Sequence, residues 1–406
     1  MMLHVIRSMT SRMVPIAILS TAIGWSRLDA QASQSVRGRV MIDRNHNGRV
    51  DAADSGVANV VVSNQLDVAR SNSAGRFDLP SAGPTGIVNV SVPDGYRSVG
   101  AFYRALSSTP TDSLTFLIEK LPASGASVTF VHASDTHLAD ASLPRMKRFE
   151  QLVDSIKPSF VIITGDLVRD ALRVGETEAR SYYDLFQREA ATFQSPLWTV
   201  PGNHEAFGIE RDKSGVPTTH PSYGRTMYRS YRGPDYYSFN AAGVHFVGLN
   251  TIDIDDTRYY GHVDSLQLQW LKRDLDMVPP TMPVVTFNHI PFFSAMEAMH
   301  GLVEVPPAPS IISINGKNQF RHTVSNAADV IALLKSHPYP LALAGHIHTR
   351  ERLFYEGTPT RFEQTAAIVG PTPTAGMLFT SGFSVYRITR GVIDAGTFVP
   401  LGLDKR

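Results

Sequence analysis

Metal-binding side chains follow five apolar runs of this 406-residue chain. The five stretches are Asp135-Thr136-His137, Gly165-Asp166, Gly202-Asn203-His204-Glu205, Asn288-His289 and Gly345-His346-Ile347-His348. Residues i and i+2 at an extended strand end point to the same side, so Asp135 can share an ion with His137. By the same spacing, His346 and His348 can both point inward. The chain has 14 His and no Cys, so a transition-metal site must use imidazole, carboxylate and amide ligands, which suit Mn, Fe or Zn.

The elements that position these side chains follow from the pattern after Val128. Apolar runs of strand length alternate there with amphipathic segments of helix length, which predicts a layered α/β domain over residues 127–402. In open α/β sheets, ligands gather at the carboxyl ends of the strands, so the five stretches should converge on one edge. Asp166 is predicted to follow a central strand, and its two oxygens make it the best candidate to bridge two ions.

The order D-x-H, G-D, G-N-H-E, H and G-H-x-H resembles the calcineurin-like metallophosphoesterase superfamily. The stretch "QLQWLKRDL" before "TFNHIP" is also similar to that family, and the resemblance covers roughly Val128 to the end of the chain. It implies a four-layered α-β-β-α sandwich with a dinuclear metal site. It also implies hydrolysis of phosphate esters by a metal-activated hydroxide, with Mn, Fe or Zn as the two ions.

The resemblance also implies a role for each matching residue. The implied ligands are Asp135, His137 and His348 for one metal, Asn203, His289 and His346 for the other, and Asp166 as the bridge. His204 is implied to be no ligand, and to act on the leaving group instead.

Three features near these motifs bear on the type of site and on the roles of two acidic residues. The run "GDLVRDA" holds no tyrosine after Asp166, which argues against the purple acid phosphatase type. Asp170 either orients His204 or forms a surface ion pair with Arg169 or Arg173. Glu205 either positions its loop or is a capping or surface carboxylate.

The first 32 residues are typical of a signal peptide. A basic start precedes the apolar run "VPIAILSTAIGW", which is too short to span a bilayer, and small residues follow at Ala30 and Ala32. We therefore expect export to a periplasmic or extracellular location; the alternative is a disordered or anchored N-terminus. The rest of the sequence holds no apolar run long enough to span a bilayer, so we expect no transmembrane segment in the mature chain. A net charge of +1 gives no case for nucleic acid as a partner.

Residues 35–121 carry short β-branched or alternating runs, which predict a separate small β-sandwich. Its stretch "DRNHNGRVDAAD" has the oxygen-ligand spacing of a calcium loop at Asp43, Asn45, Asn47, Asp51 and Asp54. Weak, structural calcium binding is one interpretation, and an Asx-rich turn without an ion is the other. The segment also resembles the N-terminal module of some secreted bacterial metallophosphoesterases.

The sequence thus predicts an exported metal-dependent phosphoesterase that acts on a small phosphorylated substrate. A phosphodiesterase or nucleotide-pyrophosphate hydrolase is the alternative within the enzyme class, and an inactive surface binding or adhesion protein is the alternative outside it. Two long insertions, residues 207–239 and 292–324, either select the substrate or decorate the surface.

Overall fold

The computed structural model describes residues 35–106, 114–122, 127–296, 310–371, 373–374 and 377–404. The predicted signal peptide, residues 1–32, lies outside the described residues. Within the described ranges, no helix is both long enough and apolar enough to cross a bilayer.

Two small sheets form the N-terminal part of the chain. Its strands are β1 (Val36–Ile42), β2 (Ser55–Gly56), β3 (Val61–Ser63), β4 (Val68–Arg70), β5 (Arg76–Leu79), β6 (Ile87–Ser91), β7 (Tyr96–Ser98), β8 (Tyr103–Ala105) and β9 (Leu114–Lys120). One sheet has the order β2-β1-β9-β7 with β5 beside β1, and the other has the order β4-β3-β6-β8. In β5, Phe77 and Leu79 are buried while Arg76 and Asp78 are exposed, so the two-residue period of a strand buries one face between the sheets.

Two larger sheets follow along the chain. Their strands are β10 (Ser127–Ala133), β11 (Phe160–Ile163), β12 (Leu197–Thr199), β13 (Tyr237–Ala241), β14 (Val244–Leu249), β17 (Val284–Asn288), β20 (Leu341–Ala344), β21 (Glu351–Phe354), β22 (Arg361–Gln364), β25 (Gly382–Thr389), β26 (Val392–Ile393) and β27 (Thr397–Pro400). Short two-stranded ribbons are formed by β15 (Ile252–Asp255) with β16 (Arg258–Gly261), β18 (Ile311–Ile314) with β19 (Lys317–Phe320), and β23 (Pro373–Thr374) with β24 (Met377–Leu378).

The order of the first large sheet is β12-β11-β10-β25-β26, with β27 beside β25, and that of the second is β13-β14-β17-β20-β22-β21. The three strands β10, β11 and β12 are parallel, and so are β14, β17, β20 and β22. Their carboxyl ends therefore lie at one edge of each sheet, where side chains from distant parts of the chain can meet.

Helices cover the outer faces of both large sheets. The described α-helices are α1 (Leu143–Ile156), α2 (Glu176–Ala190), α3 (Arg211–Ser214), α4 (Arg225–Arg232), α5 (Ser265–Leu275) and α6 (Ala327–Leu334), and short 3₁₀ helices lie at Asp140–Ser142 and Asn203–Glu205. Buried residues of α1, α2 and α4 pack on the first sheet, and those of α5 and α6 pack on the second. Aromatic residues such as Phe130 and Phe246 fill the space between the sheets. The predicted fold class, an α-β-β-α sandwich with an N-terminal β-rich region, is confirmed.

Buried polar contacts join the N-terminal region to the sandwich. Trp270 of α5 donates its indole N–H to the Ser63 hydroxyl at 3.0 Å, and the Gln65 amide donates to an Asp235 carboxylate oxygen at 3.1 Å. Both contacts satisfy polar groups that burial would otherwise leave unpaired. At the surface, Asp94 accepts the backbone N–H groups of Ala242 and Gly243 at the β13–β14 turn. The three sets of contacts together favour one relative position of the two regions.

Candidate active site

The structure brings the seven predicted metal ligands and His204 together at the carboxyl ends of strands from both large sheets. A cleft of about 210 Å³ opens there. Its walls are formed by His137, Asp166, Arg173, Asn203, His204, Tyr259, His322, His346, Ile347 and His348. The cleft thus collects residues from four of the five stretches singled out in the sequence, while Asp135 and His289 lie fully buried beneath it.

The first group of side chains consists of Asp135, His137 and His348. Their candidate ligand atoms all lie within 4.8 Å of one another. Nε2 of His348 is 3.3 Å from Oδ1 of Asp135 and 3.1 Å from Nε2 of His137. Three donor atoms of nitrogen and oxygen thus face one small volume, an arrangement suited to a transition-metal ion.

The second group consists of Asp166, His289 and His346, with Asn203 beside it. Nε2 of His289 lies 3.3 Å from Oδ1 of Asp166, 3.1 Å from Nδ1 of His346 and 3.2 Å from Oδ1 of Asn203. The other carboxylate oxygen of Asp166, Oδ2, is 3.5 Å from Nε2 of His137 in the first group. Asp166 therefore turns one oxygen toward each group.

Left-handed backbone conformations aim these side chains. Asp135, His137, Asp166, His346 and His348 all have positive φ, between 38° and 74°. Such a conformation costs roughly 1–2 kcal/mol for a residue with a Cβ, and such strain is concentrated at functional sites. The sharp turns after the strands are thus made largely by the functional residues themselves.

Glycine is needed here mainly for close approach. A Cβ on Gly345 would lie 1.8 Å from the Ser134 hydroxyl oxygen and 2.7 Å from Oδ2 of Asp135. A Cβ on Gly202 would lie 2.1 Å from Oδ1 of Asp166. Neither Gly202 nor Gly345 has a positive φ, so close approach rather than a left-handed turn is what requires glycine at both positions.

The donor set fits bound cations. Oδ1 of Asp135 is fully buried and accepts no hydrogen bond, which is costly for a carboxylate unless a cation faces it. Burial lowers the pKa of His137 to about 3, with the neighbouring His204 adding to the effect, so this imidazole offers a lone pair. Burial opposes the charge on His289, but the adjacent Asp166 raises its pKa to about 9.

His204 lies at the mouth of the cleft beside Asp166. Its backbone N–H donates to Oδ1 of Asp166 at 3.0 Å, and its ring Nδ1 is 2.8 Å from the carbonyl oxygen of Arg169. Because a carbonyl only accepts, Nδ1 carries the proton and Nε2 is the ring atom left for chemistry. Oδ1 of Asp170 is 3.7 Å from Nδ1, while Oδ2 of Asp170 accepts from Arg173 at 3.2 Å. Asp170 thus pairs with Arg173 and also lies within ion-pair distance of His204, whose closer Nδ1 partner is the Arg169 carbonyl. That Asp170 orients His204 stays a prediction.

Glu205 ties two of the site loops together. It is 1% exposed, so the alternative of a surface carboxylate is wrong. Its two oxygens accept the backbone N–H groups of Val168 at 2.9 Å and Gly202 at 2.6 Å. Burial raises the pKa of Glu205 to about 8, and the charge of Asp166 adds to this effect. Glu205 therefore both caps the 3₁₀ turn that carries Asn203 and positions the loop that carries Asp166.

Sequence reasoning assigned no role to Tyr259 or His322, and it considered Arg173 only as a partner for Asp170. His322 belongs to the insertion 292–324, of which residues 297–309 lie outside the described residues. Neither Tyr259 nor His322 follows a buried strand, so the signal that identified the other residues is absent for them.

The insertion 207–239 contributes none of the cleft residues described above. Three of its four arginines, Arg211, Arg225 and Arg229, pair with acidic side chains instead.

The predicted calcium loop closes through hydrogen bonds within itself. Asp43 accepts the backbone N–H groups of Asn47 and Gly48, while Asp51 accepts the side-chain amides of Asn45 and Asn47. Asp54 accepts the backbone N–H groups of Arg44 and Asp51. Calcium binding by Asp43, Asn45, Asn47, Asp51 and Asp54 stays a prediction.

Comparison with known families identifies the protein class. Residues 128–350 match the family described as calcineurin-like phosphoesterase, and residues 44–121 match the family described as the N terminal of calcineurin-like phosphoesterase. The chain belongs to the calcineurin-like phosphoesterase family. The resemblance found in the sequence is therefore confirmed, and so is the predicted enzyme class, a hydrolase acting on phosphoric ester bonds.

Three relatives show the range of the calcineurin-like phosphoesterases that this chain resembles. It is 27% identical over 256 residues to a 3′,5′-cyclic-nucleotide phosphodiesterase from Nostoc sp., covering 60% of this chain and 79% of that protein. It is 22% identical to the 3′,5′-cyclic adenosine monophosphate phosphodiesterase CpdA of Escherichia coli, covering 58% of this chain and 76% of that protein. It is 27% identical to purple acid phosphatase 23 of Arabidopsis thaliana, but that match covers only 41% of this chain and 31% of the plant protein.

Proposed function

We propose that this calcineurin-like phosphoesterase hydrolyses phosphodiesters, with cyclic nucleotides as the substrate class, using two transition-metal ions. One observation carries the proposal: Asp166 directs one oxygen toward His137 and the other toward His289, so two groups of donors share a single carboxylate. A carboxylate shared in this way can hold two ions at the short separation of about 3.5–4 Å that two-metal catalysis uses.

We assign the donor groups to the two ions as the family resemblance implies. The proposed ligands are Asp135, His137 and His348 for the first ion, Asn203, His289 and His346 for the second, and Asp166 for both. When bound, Mn, Fe or Zn supplies Lewis-acid activation of the phosphoryl group and of water. The buried carboxylates Asp135 and Asp166 supply the negative charge that retains the cations.

His204 is the proposed proton donor to the leaving oxygen. The alternative is that His204 is itself a metal ligand, because a ring nitrogen of His204 lies within 4.8 Å of the candidate ligand atoms of His137 and Asp166. The Arg169 carbonyl, however, fixes Nδ1 as a donor and leaves Nε2 beside the cleft, 3.9 Å from Oδ2 of Asp166. As an imidazolium, His204 can donate its Nε2 proton as negative charge develops on the ester oxygen.

The charge of the cleft supports a diester rather than a monoester substrate. Among the described residues that line the cleft, Arg173 is the one arginine or lysine. Its guanidinium pairs with both Asp170 and Glu210, at 3.2 and 2.9 Å. Its charge is therefore balanced within the protein, and the described cleft residues offer no other arginine or lysine to pair with the second negative charge of a monoester. The two relatives named as cyclic-nucleotide phosphodiesterases, which match over most of their length, support the same choice.

Steady-state kinetics with paired substrates test this proposal. The metal-loaded protein is assayed with bis(p-nitrophenyl) phosphate against p-nitrophenyl phosphate, and with 3′,5′-cyclic AMP against 5′-AMP. We expect a higher kcat/KM for the diester in each pair. A higher kcat/KM for both monoesters would overturn the diester assignment, and no hydrolysis with Mn, Fe or Zn would overturn the function itself.

We further propose that the protein is exported, to a periplasmic or extracellular location. The support is the basic start, apolar run and small residues of the first 32 positions. Expression of the full chain, followed by cell fractionation and N-terminal mass spectrometry, tests this. A chain that retains its N-terminus inside the cell would contradict it.

A further inference from the structure

His322 lies directly against the metal-ligand candidate His346 on the wall of the cleft. Nδ1 of His322 is 2.8 Å from Nε2 of His346, within hydrogen-bond distance. The two rings are close to parallel, with centroids 5.0 Å apart and an interplanar angle of 25°. His322 is only 4% exposed, so this contact is made away from bulk water.

The backbone around His322 is held on both sides. Arg321 donates its N–H to the carbonyl of Ser310 at 2.8 Å, at the base of the β18–β19 ribbon. Val324 donates to the carbonyl of Pro291 at 2.9 Å, and this proline lies two residues after His289. His322 is therefore anchored to the segment that carries one proposed ligand while its ring contacts another.

The contact defines the proton positions of both rings when metal is bound. Nδ1 of His346 lies 3.1 Å from Nε2 of His289, the candidate ligand atom of that residue. Nδ1 of His346 is therefore the ring atom that would face the ion. A ligating nitrogen offers a lone pair, which places the proton of the neutral His346 ring on Nε2. That N–H then donates to Nδ1 of His322, which must be the acceptor.

We propose that His322 is a positioning residue that fixes the tautomer and ring orientation of His346 toward the second metal ion. The inference rests on the proposed function, because it concerns the same metal centre. It gives part of the insertion 292–324 a role: its last residues complete the support of the site. Outer partners of ligating histidines commonly change metal affinity by about 10–100-fold when they are removed.

Metal titration of two contrasting variants tests the proposal. His322→Leu removes the acceptor while keeping similar volume, and His322→Asn places an amide oxygen near the position of Nδ1. His337→Asn is the matched control, since His337 lies three residues beyond the C-terminal end of α6 and contacts the carbonyl of Val278. Calorimetric titration of each metal-free chain with Mn²⁺ gives the stoichiometry and the affinity of each site, without reference to activity.

We expect His322→Leu to weaken one of the two Mn²⁺ sites by about 10–100-fold and to leave the other unchanged. His322→Asn and His337→Asn should both retain affinities close to those of the wild type. Unchanged affinities in His322→Leu would overturn the proposal, and so would equal weakening in His322→Leu and His322→Asn. A wild-type chain that binds no metal would instead overturn the proposed function, and this inference with it.

Discussion

Nε2 of His137 lies 3.1 Å from Nε2 of His348, although 211 residues separate them in the chain. Two neutral imidazoles cannot both direct lone pairs into such a gap without a proton or a cation between them. Oδ1 of Asp135, buried and without a hydrogen bond, faces the same gap at 3.3 Å from His348. The geometry is explained simply if a metal ion is the common partner of all three.

Replacing His204 should separate chemistry from metal binding. In His204→Ala, we expect kcat to fall by about 10²–10⁴-fold for substrates whose leaving group needs a proton. Metal content measured by mass spectrometry should stay at the wild-type value. The fall in kcat should be smaller for p-nitrophenyl esters, because p-nitrophenolate can leave without receiving a proton. Loss of a metal equivalent in His204→Ala would instead identify His204 as a ligand.

Replacing Gly345 should disturb the site through crowding. In Gly345→Ala, the new methyl group would overlap the Ser134 hydroxyl and press on Asp135, so we expect weaker metal binding and a loss of about 1–3 kcal/mol in the free energy of unfolding. Gly175→Ala is the control, because no atom lies within 4 Å of its Cβ position. Calorimetric metal titration and urea unfolding measure both effects. Equal behaviour of the two variants would refute the crowding argument.

Replacing Glu205 tests its role as a link between loops. In Glu205→Gln, one of the N–H groups of Val168 and Gly202 loses its acceptor, so the free energy of unfolding should fall by about 1–3 kcal/mol. Glu178→Gln, on the exposed face of α2, should leave stability nearly unchanged. Urea denaturation of both variants gives the comparison, and equal stability would count against the linking role.

The metal-ligand candidates could be predicted from the sequence because their signal is local. Each of these residues follows an apolar run, and parallel strands must bring their carboxyl ends to one edge. Asp135 and His348 could thus be placed near each other without coordinates.

Other features of the site depend on contacts that no local pattern encodes. Glu205 is buried because two backbone N–H groups from different loops converge on it, which only the tertiary structure determines. His322 follows no strand, and its position depends on backbone pairing to Ser310 and Pro291. The positive φ of Asp166 also goes against the preference of non-glycine residues, so tertiary contacts must hold it.

The ion pair between the partly buried Arg229 and the fully buried Asp235 should make stability depend on pH. Burial opposes ionisation of Asp235, but Arg229 lowers its pKa from 3.8 to about 2. Because the folded pKa is the lower one, the stabilisation is present above about pH 4 and is lost as pH falls through 2. We expect Asp235→Asn to cost about 3–5 kcal/mol at neutral pH. Urea unfolding of both proteins, measured at a series of pH values from 7 downward, tests this. The difference in the free energy of unfolding between wild type and Asp235→Asn should shrink below pH 4. A difference that stays constant with pH would contradict the prediction.

The most direct test of the central claim is the metal content of the wild-type protein beside Asp166→Asn, measured with phosphodiester hydrolysis in the same samples. If Asp166 is shared between two ions, the wild type should hold about two transition-metal equivalents per chain. Asp166→Asn should then bind less metal and lose hydrolysis. A wild-type chain that hydrolyses diesters with a single equivalent, or a variant that keeps both metals and activity, would contradict the account.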